Sequence, residues 1–132
     1  MIKNVVLSFI VGLLILTNHN VYAQYEKFTS VREVFKTGNA KEVSAYLDQS
    51  IEMRIDGNID SYSKAQAEFV LRDFFKKHPP TEVSIVHARE LPQKNLHFAI
   101  CRYQSNSERY NLLVRMKEIN GQNLITELTF DK

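Results

Sequence analysis

A single cysteine, Cys101, stands in a chain of 132 residues, so no intramolecular disulfide can form and packing alone must hold the fold. Glycine is scarce too, at four residues, and no glycine-rich loop of the kind that cradles phosphate is present. Patterns such as HxH, HxxxH, HExxH and GxSxG are missing too, which removes the commonest metal and serine-nucleophile signatures. Neither sign of charge dominates, since 17 Lys and Arg face 15 Asp and Glu and the two are interspersed. A nucleic-acid footprint, which needs clustered base, is excluded as a reading. Long apolar runs are also absent. The longest, residues 5–16, would cover about 18 Å as a helix, short of the roughly 30 Å of a bilayer's hydrocarbon core.

What that run does have is context. Lys3 precedes it, and Val21-Tyr22-Ala23 follows with small side chains where a signal peptidase reads. Residues 1–23 therefore read as a signal peptide cleaved between Ala23 and Gln24. No cysteine follows the run as a lipid attachment point, so the expected product is an exported soluble protein, periplasmic or extracellular, with no permanent membrane span. Residues 24–132 suffice for one domain with its own core.

The mature chain opens with Phe28, Val31, Val34 and Phe35 at helical spacing, which predicts an amphipathic helix over 26–37 closed by Gly38. Asn39 and Glu42 form a capping-box pattern that starts a short second helix with Val43, Tyr46 and Leu47 on one face. Ile51, Met53 and Ile55 alternate with charged residues as a half-wet strand ending at Asp56-Gly57. Ser63 and Gln66 repeat the capping box, and Ala67, Val70, Leu71, Phe74 and Phe75 form the broadest apolar stripe, stopped by Pro79 and Pro80. Four strands, 81–89, 96–104, 109–117 and 123–130, complete the order α-α-β-α-β-β-β-β. The predicted fold class is α+β, with three helices covering one face of a curved antiparallel sheet. Tyr110, Leu112, Val114, Met116, Leu124, Leu128 and Phe130 are expected to face the helices, and Arg109, Asn111, Arg115, Lys117 and Glu127 to face away.

Several runs carry a resemblance: residues 36–42 (KTGNAKE), 51–57 (IEMRIDG), 62–67 (YSKAQA), 74–80 (FFKKHPP) and 124–128 (LITEL). Together with the element order they resemble a DUF4783-like exported family of Bacteroidetes within the nuclear-transport-factor-2-like, cystatin-like superfamily. The resemblance implies a cone-shaped sheet that wraps helices around a cavity. It implies no catalytic residue, because the family has no assigned activity and the cone serves enzymes, carriers and dimerisation modules alike.

Three histidines follow the expected cleavage point. His78 reads as the end of the main core helix, where a cation is favoured. His87 shares strand parity with Val83 and Ile85 and is the pocket candidate, although the nearest preceding acid, Glu82, has the opposite parity and cannot orient it as a base. Arg102 and Tyr110 lie among apolar neighbours of matching parity and, with His87, could line a pocket mouth. No metal site, cofactor or catalytic constellation is expected. Cys101, in a strand without an activating partner, reads as a small buried hydrophobe.

The reading that follows is a non-catalytic exported domain, whose cavity binds a small, mainly apolar ligand or whose open sheet face pairs with a second copy. The alternative is a small cavity enzyme performing proton transfer, with His87 as base and Tyr110 or Arg102 stabilising an oxyanion. A third reading, docking onto an envelope protein, rests on the fold relation alone. For a homodimer, Ala99, Cys101, Tyr103, Leu113 and Ile125 are predicted to form the apolar patch of the outer sheet face.

Overall fold

The computed structural model describes residues 19–132, with side chains described from Glu26 onward. Its elements are α1 (His19–Lys36), α2 (Ala40–Ser44), β1 (Leu47–Ile55), β2 (Asn58–Ser63), α3 (Lys64–Lys77), β3 (Glu82–Leu91), a 3-10 turn (Pro92–Lys94), β4 (Leu96–Ser105), β5 (Glu108–Ile119) and β6 (Gln122–Asp131). The apolar run 5–16 lies outside the described residues. The expected cleavage point falls within α1, in a stretch whose side chains are not described. No helix among the described residues is long and apolar enough to cross a membrane.

The helix boundaries follow the expected chemistry. Gly38 adopts φ +63° and closes α1, and a Cβ there would meet Pro80 Cδ at 3.0 Å, so conformation and close approach both favour glycine. Asn39 accepts hydrogen bonds from the backbone N–H groups of Lys41 and Glu42 and starts α2. At Ser63 the capping box is complete, with Gln66 N–H to Ser63 Oγ at 3.2 Å and Ser63 N–H to Gln66 Oε1 at 3.0 Å.

Six strands form one curved, unclosed sheet in the order β2-β1-β6-β5-β4-β3. The β1–β6 pair is parallel and every other pair antiparallel. The expected α+β architecture is therefore present with one strand more than the predicted order. That strand is β2, whose sequence NIDSYS is exposed at all but Tyr62. An edge strand with two wet faces shows no apolar alternation to betray it. The second helix is also shorter than expected: Leu47 is buried as the first residue of β1.

Inside the curve lie Phe28, Val31 and Phe35 of α1, Leu71, Phe74 and Phe75 of α3, and the inward rows of the sheet. Tyr110, Leu112, Val114, Met116, Leu128 and Phe130 are buried as expected. A register shift between Arg115 and Met116 pairs Met116 with Ile125, so Ile125 is buried where Leu124 was predicted, and Leu124 is only half-buried. One extra residue in a strand exchanges its faces.

The dimer patch predicted from parity is corrected more widely. Ala99, Cys101, Tyr103 and Ile125 all belong to the core, and only Leu113 of the five lies on the outer face, half-buried. In β4 both alternating sets are largely apolar, so alternation fixes two faces without saying which one the helices cover.

Candidate functional site

The mouth of the curve is built around the exit of α3. His78 caps that helix, its N–H bonded to Phe74 O at 2.8 Å, and Pro79 and Pro80 stop the chain from continuing. Its carbonyl accepts the Tyr103 hydroxyl. From the far side the β4–β5 turn, with Asn106 at φ +49°, brings in Glu108, whose Oε2 lies 2.5 Å from His78 Nδ1. A carboxylate only accepts, so the ring proton sits on Nδ1 and Nε2 is left toward the Tyr110 hydroxyl at 3.5 Å. Lys132 completes the group, 3.0 Å from Glu108 Oε1 and 5.5 Å above the Tyr110 ring.

Charge in this cluster is ordered. The Lys132 ammonium first, and the His78 ring after it, hold the Glu108 carboxyl below its usual range. Glu108 in turn raises Lys132. Burial, and then the Glu108 charge, push the Tyr110 phenol up, so it stays protonated.

Beside His78 opens a cleft of about 240 Å³ between α3 and the β1–β2 hairpin. Met53, Ile55, Tyr62, Val70 and Phe74 form its walls, and Asp56, Asn58, Asp73 and Lys77 its rim. Asp73 and Lys77 pair with each other at 3.0 Å. Behind Phe74 the centre is filled by rings, with Phe74 to Phe130 at 4.3 Å, to Tyr110 at 5.4 Å and to Tyr103 at 5.7 Å between centroids. The cleft is therefore a recess at the mouth, backed by a packed aromatic core.

The three residues expected to line one pocket are not brought together. Tyr110 points inward, buried beside His78. His87 and Arg102 are exposed on the outer face. For His87 the reason is a bulge: Ile85 pairs with Cys101 but His87 with Ile100, so the strand shifts by one residue at Val86 and His87 loses the parity of Val83 and Ile85. There it joins Arg89, Leu91, Phe98, Ile100 and Leu113 around a second groove of about 360 Å³, with Arg115 5.2 Å from the Phe98 ring centre.

His78, Glu108 and Lys132 went unread as a site in the sequence, where they are 30 and 24 residues apart in succession. The proline pair after His78 and the Ser105-Asn106-Ser107 turn before Glu108 mark both as element ends. Which ends meet is a matter of sheet topology. No group of three or more His, Cys, Asp and Glu that could hold a metal ion occurs among the described residues. Cys101 is buried, and burial pushes its thiol up to about 11, which leaves it unreactive at neutral pH.

Comparison with known proteins follows the fold. The family model described as "Domain of unknown function (DUF4783)" matches residues 28–131. The crystal structure of a DUF4783 family protein from Bacteroides ovatus is 21% identical, with a TM-score of 0.74 over 79% of this chain and 93% of that one. One from Bacteroides fragilis is likewise 21% identical, with a TM-score of 0.73 over 79% and 96%. More distant is an NTF2-like protein of unknown function from Shewanella baltica, 12% identical with a TM-score of 0.59 over 83% and 90%. No curated protein matches the chain.

Proposed function

The chain belongs to the DUF4783 family, and from that membership and the recess at the mouth we propose a non-catalytic binding module that takes a small, mainly apolar ligand with one polar end. The observation that carries this is the pairing of an apolar-walled cleft with a histidine whose ring is fixed on both sides. Five apolar or aromatic walls would take the body of the ligand, and Asp56 and Asn58 on the rim would take its polar end. At about 240 Å³ the recess lies just below the roughly 300–1,000 Å³ of drug-sized pockets, which favours a compact compound.

Binding is favoured over proton transfer by the surroundings of the base. His78 has the orienting carboxylate that His87 lacks, yet its free nitrogen faces the Tyr110 hydroxyl and its ring is wedged between Phe74 and Tyr110 at 5.1 and 5.4 Å. A base needs access to the proton it takes.

The test is a fragment screen by chemical-shift perturbation on wild type and Val70→Arg, whose side chain would fill the half-buried cleft wall. Shifts gathered at Met53, Ile55, Tyr62 and His78 and lost in the variant are expected. Hits that survive Val70→Arg, or turnover of any hit, would overturn the reading.

Self-association through the outer sheet face is a second reading, favoured by Ile100 and Leu113, register partners on β4 and β5 that turn outward. A two-fold axis near Leu113 would lay this apolar pair of one copy on that of the other. A dimer by light scattering that dissociates in Leu113→Glu is expected; a monomer at high micromolar concentration removes this reading.

A further inference from the structure

At the end of the sheet opposite the mouth, a second histidine is held in a different way. His97 faces inward from β4, where its side chain is 3% exposed, and neither ring nitrogen has a hydrogen-bond partner among the described residues. Its nearest carboxylate, Glu90 of β3, places Oε1 3.4 Å from Nδ1. That same oxygen is held at 2.6 Å by Lys27 of α1. The charged groups that act on the ring are thus Lys27 from α1, Glu90 from β3 and Glu118 from β5. The strand β4 itself carries one charge, Arg102, on the outer face.

We propose that His97 is an acid-sensitive latch: while neutral it lets α1 seat on β3, and once protonated it drives that helix off the sheet. A buried imidazolium requires a counterion and a donor's partner. Here the carboxylate in reach is already engaged by an ammonium from the helix above, which repels the new charge. Lifting α1 hydrates the ring and separates it from Lys27. The direction of titration agrees, because burial first and the Lys27 charge second hold His97 below its ordinary 6.5.

The sign follows. With α1 lifted the exposed ring binds its proton near 6.5, while the seated ring binds it only at lower pH. Closure is therefore complete above about pH 6.5 and weakens as pH falls below it, by at most about tenfold per pH unit for one proton. Glu90 acts in the same direction, but as a carboxyl held below 4.5 it does so only in stronger acid.

Hydrogen exchange of the α1 amides from Lys27 to Lys36, corrected for intrinsic rates, tests this between pH 7 and pH 5. Protection in the wild type should fall as pH drops below 6.5, by at most about tenfold per pH unit, with β1, β2 and α3 unchanged. His97→Phe keeps the ring and removes the proton, and should abolish the response. Lys27→Met frees Glu90 to neutralise a protonated ring and should diminish it. Protection in the wild type that stays constant, or an acid response undiminished in either variant, overturns the latch.

Discussion

The two ends of the molecule carry the same three residue types and treat them in opposite ways. At the mouth His78, Glu108 and Lys132 are partly exposed, the ring has one carboxylate oxygen to itself at 2.5 Å, and the ammonium takes the other. At the far end Lys27 holds the one oxygen of Glu90 that His97 approaches, and the histidine is left buried without a partner. Composition does not decide the state of a histidine. The number of free acceptor atoms and the depth of burial do.

Four measurements break or sharpen that contrast. Phe74→Ala should have the largest effect, because its ring backs the cleft and meets His78, Tyr103, Tyr110 and Phe130. A loss of about 3–5 kcal/mol in denaturant unfolding is expected, together with loss of ligand shifts at the mouth. Tyr103→Phe comes next, since it strands the His78 carbonyl; a cost of about 1–3 kcal/mol in the same experiment would measure how firmly the α3 exit is pinned.

Opposite in sign, His97→Phe should raise stability at pH 7 by about 1 kcal/mol, because it removes two buried nitrogens that bond to nothing described. A loss of stability there would erase the difference between the ends. The smallest effect belongs to Glu108→Gln, a half-buried change visible only through pH. Glu108 is held below 4.5 in the folded protein, so its contribution is present above that value and lost as pH falls through the lowered one. Thermal melts of wild type and variant should differ near neutrality and converge in strong acid.

Much of this architecture was legible in the residue pattern. Gly38, Asn39, Ser63 with Gln66, and the proline pair each stand where an element begins or ends. The apolar stripe of α3 and the inward row of β5 from Tyr110 to Met116 also read true. Legibility failed where alternation was missing or ambiguous. The polar edge strand β2 left no apolar trace, and β4 is apolar on both faces. The bulge at Val86 carried His87 outward with nothing in its sequence to announce it.

What the sequence by itself determined was therefore local: the capped helix starts, the breaks, the period of the strands, a core large enough to fold without disulfides, and the kinship these carry. Those properties depend on neighbours within a turn or a pleat. Tertiary structure alone decided which face of β4 is buried, that His78 meets Glu108 and Lys132, and that His97 finds Glu90 already taken. Lys132 and Glu108 are 24 positions apart and Lys27 and Glu90 63, and only strand order, register and bulges bring such residues within bonding distance.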